Sequence, residues 1–159
     1  MHRSLLASVA VLAFGANVAQ ADYTLTILHT NDFHDRFEPI SKYDGPCAPD
    51  DNAAGECFGG SARLVSALAE ARARSNNAIL VDGGDQFQGT LFYTYYKGKM
   101  TAEFMNKLGY DAMTVGNHEF DDGPEGAAVL LDGVQFPVMS GNLDVSQSNQ
   151  LKGKLQDTL

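Results

Sequence analysis

The sequence predicts an α/β fold with a mostly parallel sheet and crossover helices. Three features predict it. Short apolar runs of strand length recur, stretches of helical periodicity separate them, and each of the first three runs ends in a polar loop. Strand, helix and strand in alternation imply right-handed crossovers, and ligands of such sheets gather beyond the carboxyl ends of the strands. The three polar loops are therefore expected along one edge.

The elements follow in chain order. Residues 1–21 read as a secretory signal peptide, with a basic start at Arg3, an apolar run from Leu5 to Ala16 and a small-residue end at Ala19-Gln20-Ala21. That run falls short of the roughly 20 apolar residues a membrane span needs. No integral membrane segment is expected after cleavage, and the mature chain is expected to be secreted or periplasmic. Residues 23–28 alternate Tyr-Thr-Leu-Thr-Ile-Leu and form the first expected strand. Residues 39–60 hold Pro, Gly, Asp and Asn without a sustained period, the pattern of a long surface loop. Over residues 61–74, Ala62, Val65, Leu68 and Ala69 fall at helical spacing, with Arg63, Glu70, Arg72 and Arg74 mainly off that stripe.

The apolar run at residues 78–81 suits a strand buried on both faces. Residues 91–108 are helical in composition, with a break at Lys97-Gly98-Lys99, and residues 112–115 form a third strand. Pro124 suits the first turn of a helix over residues 125–131, and residues 136–139 read as a fourth strand. Beyond Asn142 the periodicity fades. The aromatic side chains of Phe87, Phe92, Tyr93, Tyr95 and Tyr96 are expected in the core rather than on a ligand.

Composition narrows the function. The 159 residues carry 11 Lys+Arg against 20 Asp+Glu, a net charge of −9, which excludes a basic binder of nucleic-acid polymers. With 44% hydrophobic and 19% charged residues the chain also lies far from the composition of disorder. The two cysteines, Cys47 and Cys57, are expected to pair if the chain is exported. Metal ligation is the alternative, and no second Cys or His pair at zinc-finger spacing supports it.

The three polar loops hold Asp32-Phe33-His34, Gly83-Gly84-Asp85 and Gly116-Asn117-His118-Glu119-Phe120-Asp121. Carboxylate, amide and imidazole donors suit hard or borderline divalent cations, zinc, manganese or magnesium, and not copper or iron–sulfur chemistry. Singly, each loop has a plain structural reading: Asp-x-His as a turn cap, Gly-Gly-Asp as a turn, Asn-His-Glu as helix-start polarity. Together, each directly after a strand, they point to a divalent-metal centre.

In that order the motifs resemble the calcineurin-like metallophosphoesterases, in particular the secreted 5'-nucleotidase family. Leu25 through Asp32, Gly59-Gly60 with Ala62-Arg63-Leu64, Asp85-Gln86-Phe87-Gln88-Gly89-Thr90, Tyr96-Lys97-Gly98 and Gly116 through Asp121 carry the likeness. The resemblance implies a layered α/β sandwich, represented here by its N-terminal half: signal peptide at 1–21, the first part of the catalytic domain at 22–142 and a truncated C-terminal segment at 143–159. It implies two divalent ions, with Asp32 and His34 on one, Asp85 bridging both and Asn117 on the second. His118 and Asp121 would form the catalytic pair.

The family completes its metal sites with histidines from the second half of the domain, which this sequence lacks. His29 is expected to pack beneath the first loop as a structural histidine, and His2 lies in the signal. The implied activity is hydrolysis of nucleoside 5'-monophosphates, small-molecule substrates, with the 159-residue chain alone expected to be inactive. The alternatives are cyclic nucleotides or nucleotide sugars on the same metal core, or a non-catalytic cation-binding fragment.

Overall fold

The computed structural model describes residues 22–158; the expected signal peptide lies outside them. Four parallel strands form the main sheet in the order β1-β4-β5-β6, where β1 is Thr26–Thr30, β4 Ala78–Asp82, β5 Ala112–Thr114 and β6 Val138–Met139. Successive main-sheet strands each step in the same direction across it. Right-handed crossovers therefore place every connecting helix on one face.

Those helices are α2 (Ser61–Ala73), α3 (Leu91–Tyr96), α4 (Gly98–Leu108) and α5 (Gly123–Gly133). Their inward residues Leu68, Tyr93, Met105, Leu108 and Leu130 close on Leu80, Met113 and Val138 of the sheet in a single core. Strand alternation turns Ile27, His29, Ile79 and Val81 to the other face, where Ile27 is 58% exposed. His29 is accordingly exposed and does not pack beneath the first loop, because its odd register in β1 aims it away from the helices.

Most expected elements are present, with instructive differences. The inward line of α2 is Ser61, Leu64, Leu68 and Ala71, whereas Ala62, Val65 and Ala69 are exposed. Two overlapping stripes exist on this alanine-rich helix, and the bulkier leucines take the core. Among the five aromatics, Phe87 and Tyr93 are buried and Phe92 is half-buried against Phe37, but Tyr95 and Tyr96 are exposed. A six-residue helix has one inward face, which Tyr93 fills. The expected break falls at Lys97, whose φ of 53° separates α3 from α4. Gly98 follows because a Cβ there would strike the Phe87 ring. At the far end of α4, Gly109 takes the left-handed C-cap, and the Arg72 guanidinium donates to the Leu108 and Gly109 carbonyls.

The stretch read as a long loop contains a small hairpin, β2 (Ile40–Ser41) against β3 (Cys57–Phe58), enclosing α1 (Pro49–Ala53). Elements of two to five residues are too short to show a period. Cys47 and Cys57 are joined by a disulfide with Cα atoms 5.9 Å apart. Asp50 and Asp51, exposed in the first turn of α1, face the positive end of its dipole. Beyond Asn142 the chain stays with the fold. Leu151 is buried, and Gln156 lies along β6 through Ser140 N to Gln156 O (2.8 Å) and Gln156 N to Val138 O (2.9 Å).

Candidate metal centre

The carboxyl ends of β1, β4 and β5 release three loops at one edge of the sheet: residues 31–36, 83–90 and 115–122. The first two run side by side. Asp32 N donates to Gly84 O (3.0 Å), His34 N to Asp85 O (3.2 Å) and Asp35 N to Gln86 O (2.8 Å). Asp32, His34, Asp35 and Asp85 all have φ near +50°, a backbone region that costs roughly 1–3 kcal/mol for a residue other than glycine. Such strain persists only where surrounding bonds impose it. Loops two and three cross in contact at Gly84 and Gly116. A Cβ on Gly84 would strike the Gly116 amide, and one on Gly116 would occupy the Asp85 carboxylate.

His34, Asp85 and His118 each offer one ligand atom, all within 4.8 Å of one another. The two imidazoles meet edge to face with centroids 5.0 Å apart. Asp32 lies at the exposed margin, its Oδ1 3.8 Å from His34 Nε2 and its Oδ2 accepting from Asn31 Nδ2 at 2.5 Å. The Asp85 Oδ1 accepts from His118 N (2.9 Å), which ties the carboxylate's rotamer to loop three. Asn117 sits exposed between Gly116 and a short 3-10 turn at His118–Phe120. His118 Nδ1 and Asp121 Oδ2 are 2.7 Å apart, and Gln88 Nε2 donates to the same oxygen at 2.5 Å. The bond to Asp121 raises the His118 pKa above its usual range, and the same bond holds the Asp121 carboxyl below its own.

Buried acids underlie the rim. Asp82 accepts from Thr30 Oγ1 (2.6 Å), Gly84 N (2.9 Å) and Gln86 Nε2 (2.8 Å), bracing the Gly-Gly turn, while burial pushes its pKa up to about 6. Asp35 Oδ1 accepts from Thr101 Oγ1 (2.9 Å), its Oδ2 has no hydrogen-bond partner among the described residues, and burial raises its pKa to about 7. Glu119, completely buried, takes four backbone amides on its carboxylate. An open cleft of about 490 Å³ flanks Asp32, lined in part by Asn31, Arg36, Arg63 and Leu64.

Sequence reasoning missed Asp35, Gln88 and Glu119. The available signal was faint: two acids and an amide in short polar loops, close in sequence to residues of the motif set. Such acids must either face solvent or find backbone donors. Only the fold decides which.

Comparison with known proteins places this rim in a family. The calcineurin-like phosphoesterase family model matches residues 25–148. The snake venom 5'-nucleotidase of Naja atra is 48% identical over 122 residues, 76% of this chain and 22% of the relative. The solved 5'-nucleotidase precursor of Thermus thermophilus superposes with a TM-score of 0.71 at 41% identity, covering 84% of this chain and 25% of that one. The NAD nucleotidase of Haemophilus influenzae gives 0.70 at 32% identity, covering 82% and 25%. The chain thus spans about a quarter or less of each of these proteins. Its parallel sheet and helices match the metallophosphoesterase fold over part of that domain. Matched along most of its length in both sequence and backbone, the chain belongs to the calcineurin-like phosphoesterase family.

Proposed function

We propose that these loops are one share of a two-cation phosphoesterase centre that hydrolyses nucleoside 5'-monophosphates to nucleoside and phosphate. The observation that carries the reading is the convergence of His34, Asp85 and His118 within 4.8 Å from three separate loops. In this reading Asp32 and His34 would hold one cation, Asp85 would serve both, and Asn117 would serve the second. The donor set fits zinc, manganese or magnesium, and Gly84 and Gly116 let loops two and three approach closely enough to seat the Asp85 carboxylate between them. When bound, such ions supply Lewis acidity for phosphoryl oxygens and acidify water at neutral pH.

The chain's own residues do the rest. Backbone donation from His118 orients the Asp85 carboxylate. Asp121 fixes the His118 ring through Nδ1 and favours its protonated form. Nε2 is then the atom that donates to phosphoryl charge or to the leaving oxygen. The nucleotide class rests on the relatives' activities, and the Cys47–Cys57 bond supports an exported protein.

A second reading is favoured by the inclusion of His118 in the tight group: the chain holds one cation through His34, Asp85 and His118 without turnover. Calorimetric titration with Mn²⁺, run beside phosphate release from AMP, tests both. The two-cation reading expects weak binding and negligible turnover by the 159-residue chain. It also expects Asp85→Ala to abolish binding and His118→Asn to leave it nearly intact. Loss of binding in His118→Asn selects the second reading. Chelator-insensitive AMP hydrolysis would sink both.

A further inference from the structure

The Glu119 carboxylate is met by backbone amides from two loops. Oε2 accepts from Asp85 N (3.0 Å) and Gly116 N (2.6 Å), and Oε1 accepts from Gln86 N (2.8 Å) and Phe87 N (3.4 Å). The three donors of loop two belong to three successive peptide units, and the carbonyl of each accepts from loop one. Gly84 O takes Asp32 N, Asp85 O takes His34 N, and Gln86 O takes Asp35 N. Each unit is therefore a link running from a loop-one amide, through loop two, into one carboxylate on loop three. A charged terminal acceptor shortens its own bonds and polarises the units behind it. Left-handed backbone at Gly84 and Asp85, with φ of 91° and 54°, turns consecutive N–H groups toward one point, forming an anion nest.

We infer that Glu119 is the positioning residue of this centre: its carboxylate fills the nest of the Asp85 loop and so sets the spacing of His34, Asp85 and His118. The inference rests on the metal-centre reading and assigns Glu119 no contact with cation or substrate. An ordinary buried residue would contribute to stability alone. A positioning residue also governs affinity in molecules that remain folded.

The test compares Glu119→Gln with a core control, Leu130→Ala, each in the full chain. A glutamine keeps the shape but turns one acceptor oxygen into a donor facing amides that also donate. Mn²⁺ affinity is measured by calorimetry at a temperature where circular dichroism shows each variant folded. Glu119→Gln is expected to bind about 10- to 100-fold more weakly, the range for residues that orient ligands, and Leu130→Ala to stay within about twofold of the unaltered chain. Unchanged affinity in Glu119→Gln overturns the inference.

Amide hydrogen exchange on the unaltered chain decides the matter even where the variant does not fold. Asp85, Gln86 and Gly116 are expected to be protected like Leu80 of the central strand, and exchange at exposed-loop rates overturns the clamp. Absence of Mn²⁺ binding by the unaltered chain overturns the reading beneath it, whereas binding with unprotected amides overturns the clamp alone.

Discussion

The rim loops and the stapled excursion at residues 39–60 are both polar, irregular and rich in turn residues, yet they are held in opposite ways. In the rim, Glu119, Asp82 and Asp35 are buried and bonded largely to backbone or hydroxyl donors, and left-handed residues other than glycine are locked between neighbouring loops. In the excursion nearly every side chain is at least partly exposed. Its ties are one disulfide, a two-rung hairpin and surface arginines, with Arg36 reaching Asp44 (2.8 Å) and Arg63 reaching Asn52 (2.6 Å). The difference shows what each region has to do. Ligand atoms placed within a few ångströms need many short, directional bonds. A covering segment needs only to be tethered, which one covalent link does by restricting the unfolded chain.

The comparison can be broken most directly at Gly116. Gly116→Ala places a methyl group on the Asp85 carboxylate, and a loss of about 3 kcal/mol or more in denaturant unfolding is expected, together with loss of Mn²⁺ binding. A variant of near-native stability would show the loops to be far looser than drawn. The corresponding cut in the excursion, Cys47→Ser with Cys57→Ser, removes a closure of sequence separation 10 and is expected to cost about 2–3 kcal/mol. Its Mn²⁺ affinity should nevertheless stay within about twofold. A large fall in affinity would mean that the staple, too, positions the ligands.

Acidity separates the regions next. Asp35 and Asp82 have pKa values near 7 and 6 in the fold against an ordinary 3.8, so the folded chain holds protons that the unfolded chain releases. Stability should therefore rise as pH falls from about 7 toward 4. His118, whose pKa is raised, acts in the same direction, because its contribution is complete below its ordinary range and is lost as pH rises through its folded value. With chelator present, the melting temperature at pH 5 should exceed that at pH 7.5 by about 5 °C, and the double serine variant should show the same rise. A fall would contradict the burial assigned to these acids. The smallest effect belongs to Arg63→Ala: its bonds to Gly59 O and Asn52 are exposed, and about 0.5 kcal/mol or less is expected by thermal melting.

Local chemistry explains why some features were legible and others were not. The runs at Leu28, Leu80 and Met113 carry enough apolar weight to read as strands, and Lys97-Gly98-Lys99 announces a helix break because glycine is a poor helix former. Tyr95 and Val65 misled because helical spacing marks a face without saying which way it turns. The hairpin at Ile40 and Phe58 has two rungs, too few for a period. Asp32, His34, Asp85 and His118 stood out as a motif set at the ends of expected strands. Nothing local distinguished the buried Glu119 from the exposed Asn117 two residues before it.

By itself the sequence determined the alternation of strand and helix, the edge from which the three loops leave and the donor types available there, since these follow from periodicity and side-chain chemistry along the chain. Tertiary structure alone decided which acids are buried beneath that edge, which face of the sheet the helices leave bare and how near His34, Asp85 and His118 approach. Those outcomes depend on the meeting of residues distant in sequence, where a one-residue change of register reverses inside and outside, and no local pattern encodes that meeting.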